Sequence, residues 1–260
     1  MDIRAGTIVA DAGAAWPLPA DPAATPSLPE RQCPQLWLHP TALQPLAAPW
    51  PGAVLGLLSA REQQWSQALP AAQAWRYRRS RGLLRCWLAQ RWGCTPQQVP
   101  LHSPPGAPPR LEDGAGCLSL SHSGAALLLA WSPQPIGVDL EWLERPLAAR
   151  ALLERFFPAA ERQQLQGWPA QALRRAVLRS WVHKEAAIKA RHGTLAQELA
   201  HWCFDHRGGR VRHHKDAQPL ESAEGVVDGW QWAAAGQGCA QARLWVAGVE
   251  AADCGRTGRG

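Results

Sequence analysis

The sequence predicts an α+β protein built as two lobes of similar make-up, and three observations predict it. Apolar runs with strand character and runs with helical spacing come in blocks, not in the strict alternation of a parallel α/β fold. A first succession of strand, helices and strands is followed by a second block of helices and strands. An Ala- and Pro-rich lead-in over residues 1–34 and a glycine-rich tail over 251–260 bracket the folded part. The expected division is a first lobe over 35–135 and a second over 136–250, with no sequence repeat between them.

In order along the chain, Gln35-Leu36-Trp37-Leu38 reads as a first strand, closed by His39-Pro40. Ser59-Ala60-Arg61-Glu62 fits the S-x-x-E capping box and opens a helix. A longer helix is expected over about 72–92, where Trp75, Leu83, Leu84, Trp87 and Leu88 recur at helical spacing. Residues 100–116 are dense in Pro and Gly and read as loop. Strand-like runs at 118–120, 125–131 and 136–142 follow, and Ser132-Pro133-Gln134-Pro135 between the last two is a hairpin signal. Helices are expected over 147–157, after Pro158 and over about 170–191, then strands at 202–204, 210–212, 229–234 and 242–249.

The bulk numbers exclude more than they select. In 260 residues with 46% apolar content, the longest apolar run, Ala125 to Trp131, is far below the roughly 20 residues of a membrane span. No basic segment with a following apolar run marks a signal peptide. The seven cysteines are scattered without a CxxC pair, which favours reduced thiols in a cytoplasmic protein. A net charge of +6 favours a polyanionic partner without naming it.

Four segments could carry chemistry. In Ile136-Gly137-Val138-Asp139-Leu140-Glu141-Trp142, strand alternation puts Asp139 and Glu141 on one face, close enough to share a hard cation; a solvated strand face is the ordinary alternative. Trp181-Val182-His183-Lys184-Glu185-Ala186-Ala187-Ile188-Lys189 places Glu185 and Lys189 one turn apart, which alone would be a surface ion pair. Ser121-His122-Ser123-Gly124 joins hydroxyls to an imidazole at a strand end, suited to an anion or to a plain polar turn. Arg78, Arg81 and Arg85 fall along one helical face, able to grip phosphate or to stay solvated. Nucleic-acid binding competes there, but aromatic interleaving is missing. His201, His206, His213 and His214 match no standard metal-ligand spacing and read as exposed loop histidines.

Together the four segments resemble one family, the Sfp-type 4′-phosphopantetheinyl transferases. Pro135-Ile136-Gly137-Val138-Asp139-Leu140-Glu141 is similar to its PxGxDxE segment, and Trp181…Lys184-Glu185-Ala186…Lys189 to its WxxKE(A/S)xxK segment. Ser121-His122-Ser123, Arg76-Tyr77…Arg81-Gly82-Leu83-Leu84-Arg85 and Arg155-Phe156-Phe157…Glu161 follow the family's order. The resemblance implies a pseudo-dimer of two α+β lobes, with coenzyme A bound in the cleft between them. It implies Mg²⁺, or Mn²⁺, held by Asp139, Glu141 and Glu185, and attack of a carrier-protein serine on the β-phosphate with release of 3′,5′-ADP. Glu185, directly or through a water, would accept the serine proton, and Lys189 would stabilise phosphate charge. Arg76, Arg81, Ser121 and His122 would hold coenzyme A, the 3′-phosphate falling to His122 and Arg81. The role of Lys184 stays open.

The partner implied is an acyl, polyketide or peptidyl carrier protein, and the expected state is a monomer that binds neither nucleic acid nor membrane. Three departures concern the cofactor end: Gly106-Ala107-Pro108 replaces a common Gly-Lys-Pro, Ser119 stands where Asn is common, and residues 190–195 replace a glycine-richer loop. The missing lysine gives weight to an alternative, a non-catalytic coenzyme A- or carrier-binding module of the same fold.

Overall fold

The computed structural model describes residues 3–6, 33–43, 52–112, 114–216 and 218–247; the expected tail and most of the expected lead-in lie outside them. Twelve strands and seven α-helices are described, a mixed α+β architecture. Strands β1 (Ile3–Gly6), β2 (Gln35–His39), β5 (Cys117–Ser123), β6 (Ala126–Ser132) and β12 (Arg243–Ala247) form a five-stranded sheet in the order β1-β12-β2-β6-β5. Strands β7 (Ile136–Trp142), β10 (Ser222–Val227) and β11 (Trp230–Gly236) form a three-stranded sheet with β7 at one edge. Two small hairpins complete the set: β3 (Leu101–His102) with β4 (Arg110–Leu111), and β8 (Trp202–Asp205) with β9 (Arg210–His213).

Strand alternation builds the layers. Leu36, Leu38, Leu128 and Ala130 of the larger sheet meet Ile136, Val138, Leu140, Trp232 and Ala234 of the smaller one in a shared core. Trp37, Leu127 and Leu129, one residue out of phase, face away and pack against Leu83, Leu84, Trp87 and Leu88 of the long helix α3 (Ala71–Trp92). On the far side Ala233 and Ala235 of β11 pack against Val182, Ala186 and Ile188 of α6 (Ala170–Ala190), together with Trp202, Phe204 and Val211 of the β8–β9 hairpin. The order of layers is therefore helix, sheet, sheet, helix.

Helix α2 (Ala60–Gln67) starts at Ser59 with the expected capping box, the Ser59 side chain accepting from Glu62 N and Glu62 accepting from Ser59 N. Helices α4 (Ala149–Phe156) and α5 (Ala159–Gln164) lie near the expected spans, and α1 (Gly52–Leu57) and α7 (Leu195–Glu198) are short additions. Three differences from expectation have physical reasons. The hairpin expected across 132–135 does not form: β6 pairs with β5 and β2, whereas β7 pairs with β11. Pro133 and Pro135 offer no N–H to a ladder, and the chain uses this stretch to step from one sheet to the other. The tight turn lies one strand earlier, at Gly124, whose φ of 52° suits glycine. Residues 3–6, expected in a loose lead-in, pair as a parallel edge strand with β12. Strand β10, Ser-Ala-Glu-Gly-Val-Val, lacks the apolar alternation that marks a strand, and its pairing with β11 supplies the reason that local pattern could not.

Candidate active site

The seam between the two sheets carries the site. β5 and β7 are the outer strands of their sheets, and the hydroxyls of Ser119, Ser121 and Ser123, two residues apart on β5, reach successive groups of β7. Ser119 Oγ accepts from Val138 N at 3.0 Å, Ser121 Oγ donates to Asp139 Oδ1 at 2.7 Å, and Ser123 Oγ donates to Glu141 Oε2 at 2.7 Å. Val138 and Leu140 face the shared core, so Gly137, Asp139 and Glu141 face α6. Gly137 lets the helix in: a Cβ built there would lie 1.9 Å from Ala186 O and 2.5 Å from Ala190 N. The glycine of the acidic segment thus sets the distance at which Glu185 and Lys189 meet Asp139.

Lys189 Nζ lies 2.7 Å from Asp139 Oδ1, 3.1 Å from Val138 O, 3.3 Å from Ser121 Oγ and 3.4 Å from Glu185 Oε2. Burial, and then the neighbouring Asp139 carboxylate, push the pKa of Glu185 up to about 7 against the opposing charge of Lys189. Burial would lower the pKa of Lys189, but Asp139 and Glu185 outweigh it and hold it high. Asp139 is 3% exposed, and its Oδ2 has no hydrogen-bond partner among the described residues. Two facing carboxylates with an unpartnered buried oxygen form a donor set that fits a hard divalent cation. Glu141, two residues on along the same face, is held by Ser123 and Arg145, and burial raises its pKa. Arg145, four residues past Glu141, was not signalled in the sequence because its role depends on the turn that follows β7.

Helix α3 contributes arginines to the cationic side of the site. Arg81 is 7% exposed, its guanidinium lies 5.2 Å from the Tyr77 ring centroid and donates to Ser80 Oγ at 3.2 Å. Among the described residues it has no carboxylate within ion-pair distance, and its Nε is unpartnered, as suits a group kept for an anion. Tyr77 is fixed in turn by its hydroxyl donating to Ser103 O at 2.8 Å. His122 and Arg76 are exposed. Desolvation of the ring, and then the charges of Arg76, Lys189 and Arg81, lower the pKa of His122.

Other residues of the same segments are structural. Arg85 does not extend a phosphate-gripping face: its Nε bonds Glu62 Oε2 at 2.6 Å, and it donates to the carbonyls of Pro96, Val99 and Leu101. Arg78 donates to Ser66 Oγ at 2.8 Å. The helical face is used up by packing on α2, which spacing alone could not reveal. Lys184 forms a fully buried pair with Glu161 at 2.6 Å and lies 3.6 Å from the Phe157 ring centroid. That settles its open role and explains why the Arg155-Phe156-Phe157…Glu161 segment accompanies the Lys184-Glu185 segment.

Facing carboxylates and a buried arginine without a carboxylate partner are groups suited to phosphate chemistry, and the comparisons with known proteins give the family. The family profile described as the 4′-phosphopantetheinyl transferase superfamily matches residues 135–246. The Synechocystis sp. protein slr0495, named for the same transferase class, is 32% identical over 218 residues, 78% of this chain and 86% of that protein. The 4′-phosphopantetheinyl transferase HetI of Nostoc sp. is 33% identical over 127 residues, 47% of this chain and 54% of its own. The 4′-phosphopantetheinyl transferase psf-1 of Bacillus pumilus is 39% identical over 71 residues, 27% of this chain and 30% of its own. The chain belongs to the 4′-phosphopantetheinyl transferase superfamily and is an enzyme of that class.

Proposed function

We propose that this enzyme moves the 4′-phosphopantetheine arm of coenzyme A onto a serine of an acyl, polyketide or peptidyl carrier protein, with release of 3′,5′-ADP and dependence on Mg²⁺, which Mn²⁺ can replace. The observation that carries the reading is the facing pair Asp139–Glu185, with its unpartnered buried oxygen, beside Lys189 and the cations of α3. Asp139, Glu185 and Glu141 would hold the ion, which supplies charge neutralisation at the pyrophosphate when bound. Arg81 and His122 hold the 3′-phosphate, Arg76 adds charge at the exposed rim and Ser121 contributes a hydroxyl. Lys189, a compact cation already fixed by three oxygens, stabilises charge on the departing 5′-phosphate oxygen of 3′,5′-ADP. Glu185 takes the proton of the attacking serine as its oxygen bonds to the β-phosphate and the bond to the 3′,5′-ADP oxygen breaks. The helix–sheet units of α3 and α6 are the two lobes of a pseudo-dimer in this reading, the β5–β7 seam is the floor of the cleft, and the working state is a monomer.

The test is mass spectrometry of apo carrier proteins, one each from fatty-acid, polyketide and nonribosomal-peptide systems, incubated with the enzyme and coenzyme A with and without Mg²⁺. The expected result is a phosphopantetheine adduct on at least one carrier only when all components are present. Tight coenzyme A binding with no adduct on any carrier would overturn the proposal in favour of a binding module.

A further inference from the structure

Three histidines that look unrelated in sequence meet at the end of α6. His201 closes the short 3₁₀ turn before β8, His213 ends β9 opposite Trp202, and His214 follows it. Each offers a ring nitrogen, and the three nitrogens lie within 4.8 Å of one another. This corrects the reading of all four histidines as separate loop residues: only His206 stands apart, bonded to Ser180 Oγ at 2.9 Å. The spacing was uninformative because the cluster is closed by the β8–β9 pairing and by the bond from His214 N to His201 O at 2.9 Å.

Two contacts around the cluster fix ring tautomers. His214 Nδ1 faces the His201 carbonyl at 3.3 Å; a carbonyl only accepts, so Nδ1 carries the proton and Nε2 keeps its lone pair. His213 Nε2 lies 3.2 Å from Glu198 Oε2, which places the proton on Nε2, and Nδ1 accepts from the Lys215 N–H at 3.3 Å, a long bond that an ion bound at Nδ1 would displace. A carboxylate and a carbonyl behind two of the rings are the partners that orient metal-bound imidazoles. His213 is buried at 6% exposure, while His201 and His214 are exposed, so the group has an anchored base and an open mouth.

We propose that His201, His213 and His214 form a second metal site, for a divalent transition ion of the zinc class, with Glu198 orienting His213. Imidazole donors suit zinc, nickel and copper and do not suit Mg²⁺, so the site is chemically separate from the carboxylates of the seam. Tetrahedral zinc with bonds of about 2.0–2.1 Å needs nitrogens roughly 3.3 Å apart, a closure within side-chain reach of the observed cluster. The ion would clamp the segment after α6 to the β8–β9 hairpin, where Arg191 stacks on Trp202 at 4.9 Å and pairs with Asp216.

The experiment titrates Co²⁺ into the metal-stripped full-length enzyme and follows the visible spectrum, with Zn²⁺ as competitor. One equivalent of intensely coloured, tetrahedral Co²⁺ displaced by Zn²⁺ is expected. His201→Gln should weaken binding by at least about 10-fold. His201→Gln with His214→Gln should abolish it while leaving Mg²⁺-supported transfer unchanged; both residues are exposed, so the variants keep the core. Saturating Zn²⁺ should raise the unfolding temperature of the wild type alone. No colour with the wild type, colour retained by the double variant, or a sulfur-to-cobalt charge-transfer band pointing to cysteine ligands would each overturn the site.

Discussion

Arg81 and the serines of β5 show how single side chains divide the work. A buried guanidinium without a carboxylate partner is costly unless an anion completes it, and charge-assisted bonds to such a group contribute about 1.5–3 kcal/mol. Arg81→Ala should therefore raise the KM for coenzyme A by roughly 10–100-fold. The same variant should change little with 3′-dephospho-coenzyme A, and steady-state kinetics with both substrates checks this; equal losses would detach Arg81 from the 3′-phosphate. Ser119 acts differently, since its hydroxyl satisfies the buried N–H of Val138. Ser119→Ala should cost about 1–3 kcal/mol in urea unfolding. The acidic and basic residues were legible in the sequence because they occupy recognisable segments. Which arginines stay free was not, because Arg85 and Arg78 are claimed by Glu62 and Ser66 from a different helix.

At the scale of elements, the closeness of β7 and α6 is the controlling feature. Gly137→Ala places a methyl group against the backbone of Ala186 and Ala190, so α6 must move away and carry Glu185 and Lys189 with it. A displacement of about 1 Å at a reacting centre can lower turnover by roughly 100-fold, so kcat should fall by about that factor while circular dichroism stays close to wild type. The buried Lys184–Glu161 pair locks α6 to α5 from the other side. Lys184→Met leaves the buried Glu161 without its lysine and should cost about 3–5 kcal/mol in chemical denaturation. The helices α3 and α6 were readable within a residue or two from helical spacing along the chain. The hairpin reading across 132–135 failed because two apolar strands with a turn between them look alike whether they pair or part, and only long-range pairing with β11 decides it.

For the whole molecule, the layer order fixes where charge can be buried. Glu224 on β10 meets Arg179 and His183 of α6. Burial alone would raise its pKa, but the hydrogen bonds from Arg179 and His183 outweigh it and bring it down to about 2. A carboxylate depressed when folded stabilises the fold above its unfolded pKa near 4.5, and that contribution is lost as pH falls toward about 2. Glu224→Gln should accordingly flatten the loss of thermal stability between about pH 4.5 and 2, read by scanning calorimetry; an unchanged acid limb would contradict the network. The α+β class was legible from the blocks of strand and helix. The return of β12 into the first sheet, beside β2, was not, because nothing local to residues 243–247 says which sheet they join.

The central claim is that Asp139 and Glu185 together serve the transfer of phosphopantetheine. Mass spectrometry of an accepted apo carrier after timed incubation with coenzyme A and Mg²⁺ tests it most directly, comparing wild type with Asp139→Ala and Glu185→Ala. The account predicts the adduct with wild type and its loss in both variants, each still folded by circular dichroism. Adduct formation at the wild-type rate in both variants would contradict it.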